Sequence, residues 1–139
     1  GTTDYAVEIY YEAVKTGKYT CPLGAGTFLD MMYMPDALDA AINLMEADPA
    51  KLLHRNSFNV TAMSFDPEMI AAEIRKHIPG FVMDYNVEPM KQGIANSWPN
   101  SMDDSCARSE WNWKPSWNLA SMTVDMLRAI REKKDQGLI

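Results

Sequence analysis

Tyr11 and Lys15 stand four residues apart in Tyr11-Glu12-Ala13-Val14-Lys15, a spacing that puts both side chains on one face of a helix. There an ammonium can lower the pKa of a phenol and position a ribose, which is the chemistry of a proton acceptor for an alcohol. A pattern with two fixed letters in five also arises by chance on helices, and an amphipathic face is the simpler reading. Gly24-Ala25-Gly26 has the small residues of a phosphate loop but lacks a third glycine. It also leads into a strand, where a dinucleotide loop must lead into a helix, so it reads as a tight turn. No nucleophile elbow and no Ser, His and Asp arrangement emerges.

The remaining candidates for chemistry are sparse. The two cysteines, Cys21 and Cys106, and the two histidines, His54 and His77, are scattered along the chain. A metal site wants clustered ligands and a disulfide scaffold wants more cysteines, so reduced thiols and solvated or capping imidazoles are expected, with no metal. The stretch Ile94-Ala95-Asn96-Ser97-Trp98-Pro99-Asn100-Ser101-Met102-Asp103-Asp104-Ser105-Cys106-Ala107-Arg108 carries more information. A Trp set between Ser97 and Pro99 in a polar loop presents a large apolar face that can cover a small ligand and exclude water. Asp103 or Asp104 can cap a short helix bearing Arg108, and Trp111 and Trp113 read as aromatics pinned onto their own domain.

The elements that must position these residues follow from periodicity. Residues 4–15 predict a helix capped by Thr3 or Asp4 and stopped at Gly17. Residues 18–22 and 28–34 predict short strands around a turn at 23–27. Pro35 and Asp36 open a helix that ends near 47–49, since a first-turn proline loses nothing and an acid suits the positive helix end. Residues 57–61 alternate as a strand does. Ser64 is positioned to cap a helix with Pro67 and Glu68 in its first turn, stopped by Pro79-Gly80. A strand at 81–85, an irregular polar stretch at 86–117 and a last helix capped by Asn118 complete the chain. This order indicates a mixed α/β fold in one domain, residues 1–139.

Composition narrows the function classes. Of 139 residues, 47% are hydrophobic, enough for a core, and 11 methionines at helical spacing read as adaptable core filler. Thirteen basic residues against 19 acidic ones give a net charge of −6, without the basic stripe that phosphate neutralisation in nucleic-acid binding requires. No apolar run approaches the roughly 20 residues of a membrane span, and no secretory signal opens the chain.

Together these segments resemble the C-terminal part of extended short-chain dehydrogenase/epimerase family proteins, over nearly the whole chain. Phe28-Leu29-Asp30-Met31-Met32-Tyr33-Met34-Pro35-Asp36-Ala37 is similar to the family's strand-to-helix segment. Ser57-Phe58-Asn59-Val60 followed by Ser64-Phe65, and Asp104-Ser105-Cys106-Ala107-Arg108 with Trp113-Lys114-Pro115, are similar to two further family signatures. Gly1-Thr2-Thr3-Asp4-Tyr5-Ala6 and the Ser97-Trp98-Pro99 loop with Asp103-Asp104-Ser105 narrow the resemblance to the family's NAD-dependent L-threonine 3-dehydrogenases.

The resemblance implies that Thr2 or Thr3 contacts substrate, L-threonine, and that Trp98 belongs to the loop closing over it. It also implies that Tyr11 and Lys15 are not the family's catalytic pair, which precedes the Gly-Thr-Thr segment together with the NAD-binding glycines. The chain is therefore expected to be a substrate-binding lobe without its Rossmann core, not catalytic alone and binding no NAD itself. Its partner would be the missing N-terminal Rossmann domain, and its parent a cytoplasmic, homo-oligomeric oxidoreductase. Losing that domain should leave an apolar face uncovered.

Two alternatives stay open at this level. A nucleotide-sugar epimerase or dehydratase lobe would need basic groups for a diphosphate, and residues 86–104 offer only Lys91. A non-catalytic interaction module would use Trp98, Trp111 and Trp113 as an adhesive patch.

Overall fold

Asp4 accepts a hydrogen bond from the amide of Ala6 (3.2 Å) and so starts the first helix, α1 (Tyr5–Lys15). Gly17 ends it in the left-handed region (φ 72°), where a side chain would be strained. The computed structural model describes residues 4–55 and 57–139. Strand β1 (Lys18–Cys21) leaves this stop, and β2 (Leu29–Met31) follows after the glycine turn. Helix α2 (Met34–Glu46) carries Pro35 in its first turn, and a single 3₁₀ turn occupies Pro49–Lys51. Next come β3 (Met63–Phe65), α3 (Pro67–His77), β4 (Val82–Tyr85), α4 (Pro89–Ser97), α5 (Ser105–Trp111) and α6 (Leu119–Asp135).

The fold is mixed α/β. Strand β1 pairs with β4 in parallel, from Lys18 opposite Val82 to Cys21 opposite Tyr85, so the intervening elements form one long crossover. Strands β2 and β3 pair antiparallel, with Leu29 opposite Phe65 and Met31 opposite Met63. Sheets of two strands are not stable alone. Helices α1, α3 and α6 close over them, burying Ile9, Tyr10, Phe65, Ile70, Ile74, Leu127 and Ile130. Deep in this core the Tyr10 hydroxyl meets the Thr123 hydroxyl at 2.7 Å, which satisfies both buried groups.

A smaller core joins Ala40 of α2 to Ala107, Trp111 and Trp113. The Trp111 and Trp113 rings lie 5.8 Å apart, and the Trp113 indole nitrogen donates to the Thr61 carbonyl (3.1 Å). Asp36, almost fully buried, accepts the amides of Ser116 (2.8 Å) and Trp117 (3.1 Å), fixing the approach to α6 against the start of α2. Asn118 and Ser121 cap α6 reciprocally. Among the described residues no helix is long and apolar enough to cross a membrane.

Several expectations require correction. Residues 57–61 form no strand: Phe58 and Val60 pack on the tryptophan core, and the indole of Trp113 takes the Thr61 carbonyl. The strand is Met63–Phe65 instead and includes Ser64, so the cap of α3 falls to Asp66, whose side chain accepts the Met69 amide (3.0 Å). The strand expected at 28–34 shortens to Leu29–Met31. The irregular stretch at 86–117 contains both α4 and α5. Trp111 and Trp113 are buried within their own domain, so an adhesive patch of three tryptophans is not available.

Five of the six tyrosines are held in their neutral form. Burial raises the pKa of each, and neighbouring carboxylates add to it: Asp4 for Tyr5, Glu8 for Tyr19 and Glu68 for Tyr85. Tyr33, half-buried and bonded to Asp125 (2.8 Å), is pushed up to about 12. Because these folded values exceed the unfolded one, the unfolded chain gives up protons first as pH rises. Stability is therefore complete below about pH 10 and declines above it. The expected result is a urea midpoint that falls between about pH 9 and pH 11.5, with most tyrosinate absorbance appearing only on unfolding. Ordinary tyrosinate titration in a chain that stays folded would contradict it.

Candidate functional site

The start of α1, the end of β1 and the outer face of α4 enclose a cavity of about 350 Å³. Asp4, Tyr5 and Glu8 form one wall, and Pro22, Leu23 and Leu29 its apolar floor. Lys91, Ile94, Ala95 and Trp98 from α4 and its C-terminal end supply the other side. The size suits a small metabolite. Its charged groups are of both signs, with the carboxylates of Asp4 and Glu8 across from α4 and the ammonium of Lys91 upon it. Glu8 accepts the Tyr19 hydroxyl (3.2 Å), and Lys91 pairs with Glu88 at 3.0 Å. The Tyr5 hydroxyl is buried without a hydrogen-bond partner among the described residues.

Helix α4 owes its position to Gln92. Its side-chain oxygen accepts the Gly24 amide (2.8 Å), and its nitrogen donates to the hydroxyl of Thr27 (3.1 Å) and to Asn96 (2.7 Å). Asp66 grips the same turn from the opposite direction, accepting the Gly26 amide at 3.0 Å. Beyond α4, the Asn100 carbonyl accepts the Ser64 hydroxyl (2.6 Å), which pins the far end of the Trp98 loop to β3. A second, polar cavity of about 420 Å³ opens beside the first, lined by Gly26, Thr27, Gln92, Asn96 and Asn100. Sequence reasoning missed α4, because Gly93 and a weak apolar stripe mask a helix whose hold on the turn is a single glutamine.

Trp98 lines the first cavity and is 55% exposed, an unusual placement for so apolar a ring. Thr2 and Thr3 lie outside the described residues. Tyr11 and Lys15 are not among the cavity's lining residues. Lys15 and Lys133 both approach the Tyr11 ring at 5.8 Å, and Lys133 donates to its hydroxyl (3.2 Å), so the pair belongs to the α1–α6 seam. The N-cap position of α5 is Asp104, without a side-chain cap bond. One residue earlier Asp103 accepts the Ser105 amide (2.9 Å), which with the Ser105 hydroxyl holds its carboxyl below the usual range. Asp104 pairs with Arg108 at 2.7 Å.

The glycine turn does not fit a dinucleotide. The amides of Gly24 and Gly26, the nearest thing to a phosphate cradle, are taken by Gln92 and by the carboxylate of Asp66. An anionic acceptor already in place repels a pyrophosphate, and the turn leads to β2, not to a helix.

No family profile matches the chain. It is 58% identical over 134 residues to a protein of Staphylococcus haemolyticus described as an uncharacterized epimerase/dehydratase, and 59% identical over 133 residues to one of Staphylococcus aureus. These alignments cover 96% of the chain but only 42% and 41% of the relatives. The chain thus spans about two-fifths of the length of the curated relatives it matches. Among solved structures, L-threonine dehydrogenase from Clostridium difficile superposes with a TM-score of 0.92 at 58% identity, covering 96% of this chain and 42% of that one. The GalE-like L-threonine dehydrogenase of Cupriavidus necator gives 0.88 at 50% identity, covering 94% and 46%. A heptose-6-epimerase of Helicobacter pylori shares the fold alone, with a TM-score of 0.71 at 17% identity over 94% and 38% of the two chains. In these proteins the chain matches the C-terminal part.

If Gln92 holds α4 to the glycine turn, Gln92→Ala leaves the half-buried Gly24 amide without its acceptor. Exchange of that amide should accelerate about tenfold, the equivalent of one hydrogen bond of local stability. An unchanged rate, with Trp98 fluorescence also unchanged, would mean that something else seats α4.

Proposed function

We propose, for a chain that belongs to the epimerase/dehydratase family and matches the C-terminal part of its members, that it forms the substrate-binding lobe of an NAD-dependent L-threonine 3-dehydrogenase. The observation that carries this reading is the lining of the 350 Å³ cavity. Carboxylates on α1, an ammonium on α4 and an exposed tryptophan beside it complement a small zwitterion. Asp4 and Glu8 suit the ammonium of an amino acid, Lys91 suits its carboxylate, and Trp98 covers its apolar side. Thr2 or Thr3, which immediately precede Asp4 in sequence, would reach the substrate hydroxyl. The threonine dehydrogenases at 50% and 58% identity support the same choice.

Oxidation of the 3-hydroxyl to 2-amino-3-ketobutyrate needs a hydride acceptor and a proton acceptor. The described lining residues offer no hydride acceptor, and the cavity's carboxylates, Asp4 and Glu8, are assigned above to the substrate ammonium, so both acceptors are assigned to the rest of the protein. Helix α2 provides a face for that remainder: Met34, Leu38, Ile42 and Met45 fall along one side of it and are all exposed. We place the N-terminal, NAD-binding part of the protein there. The free thiols Cys21 and Cys106 accord with a cytoplasmic location, and homo-oligomeric assembly of the whole protein belongs to the same proposal.

The epimerase/dehydratase description of the relatives favours a second reading, a lobe for a nucleotide sugar. Against it, Lys91 is the one cation among the described residues that line the cavity, a match for a single carboxylate but not for the several charges of a diphosphate.

A chimera separates the two. Replacing the matching C-terminal part of the Clostridium difficile enzyme with this chain should give a protein that forms NADH with L-threonine and ignores nucleotide sugars. A folded chimera that binds NAD but turns over only a nucleotide sugar would reverse the assignment.

A further inference from the structure

Beside the tryptophan core, three metal-ligating side chains that the sequence scatters come together. Cys106 and Glu110 sit one turn apart on α5, so their side chains share a face. His54 reaches them from the segment after the 3₁₀ turn. The donor atoms of all three lie within 4.8 Å of one another. Glu110 is buried and its two oxygens have separate tasks. Oε2 accepts the backbone amides of Leu53 (2.7 Å) and His54 (3.0 Å), and Oε1 meets Nδ1 of the His54 ring. The amides fix the carboxylate's orientation as outer-shell groups do in metal sites. Phe58 packs edge-on to the imidazole, with ring centroids 6.0 Å apart, and itself rests on Trp111, so His54 is held from two sides.

We propose that His54, Cys106 and Glu110 form a binding site for a divalent transition metal, best matched to Zn²⁺. One imidazole nitrogen, one thiolate and one carboxylate oxygen are the borderline donor set zinc takes, and two anionic ligands neutralise its charge. Ligand atoms around a tetrahedral zinc lie about 3.3 to 3.8 Å apart, given bonds of about 2.0–2.3 Å. The exposed thiol reaches that spacing by side-chain rotation, because Glu110 and the backbone of residues 53–54 are already fixed. On binding, the metal displaces the proton between His54 Nδ1 and Glu110 Oε1, which returns through solvent to Nε2 of a neutral ring or is released from a protonated one, and the Cys106 thiol proton passes to solvent. His54 and Cys106 are both exposed, so the fourth position opens to water and can take a solvent or an external ligand. A hydrogen-bonded His54–Glu110 latch alone gives no role to the thiol, and it is the thiol that separates the two possibilities by experiment.

The test is titration of the full chain with Co²⁺ and with Zn²⁺ in competition with a chromophoric chelator. One equivalent of Co²⁺ should produce a thiolate-to-metal charge-transfer band. Cys106→Ser, a change at an exposed position, should abolish the band and weaken zinc binding about tenfold or more. His54→Gln should weaken zinc binding to a similar degree, and Cys21→Ser should leave both readouts intact. Circular dichroism identifies any variant that unfolds, and since Glu110 anchors two amides, the outcome is decided on Cys106 and His54. The proposal is overturned if Co²⁺ gives no thiolate band, or if Cys106→Ser or His54→Gln binds zinc as tightly as the unaltered chain.

Discussion

Burial of the apolar side of α1 holds the rest of this structure in place. Two separate two-stranded sheets, one parallel and one antiparallel, bury too little surface to persist alone. Ile9, Tyr10 and Ala13 fill the space between them and α3 and α6, and Tyr10 brings its hydroxyl into that space only because Thr123 is there to meet it. The same helix turns its first residues, Asp4, Tyr5 and Glu8, toward the cavity. Packing on one side of α1 therefore sets the geometry of binding groups on the other.

The second half of the site is attached less directly. Helix α4 reaches the body of the protein through the glycine turn, held by Gln92 from α4 and by Asp66 from the start of α3. Asp66 at once caps α3 through Met69 and fastens Gly26, so one carboxylate links a buried helix to a surface loop. A few polar contacts and one buried alanine, Ala95, thus seat the helix that leads to Trp98. An arm attached in this manner opens at lower cost than the core beneath it.

Much of the architecture was legible in the sequence because local rules and tertiary packing agree there. Asp4 and Gly17 bound α1, Pro35 opens α2, and Asn118 caps α6, each by chemistry confined to a few adjacent residues. The failures occur where distant partners decide. Residues 57–61 alternate like a strand, yet Trp113, 52 residues from Thr61, takes a carbonyl that a ladder would have used. Ser64 looks like a helix cap, but pairing with Asp30 places it in β3 and leaves the task to Asp66. Trp98 was identifiable as an exposed aromatic by its Ser and Pro neighbours. The approach of His54 to Cys106 and Glu110 was not, because no spacing rule connects a loop to a helix 56 residues away.

Binding of a small amino acid between the start of α1 and Trp98 is what the proposed function stands on. Kinetics of the chimeric dehydrogenase carrying Trp98→Ala address it, with NAD affinity measured alongside. The expected outcome is that kcat/KM for L-threonine falls about tenfold or more while the Kd for NAD is unchanged, because only substrate covering is lost. Normal kcat/KM in that variant would contradict it and move the substrate away from this cavity.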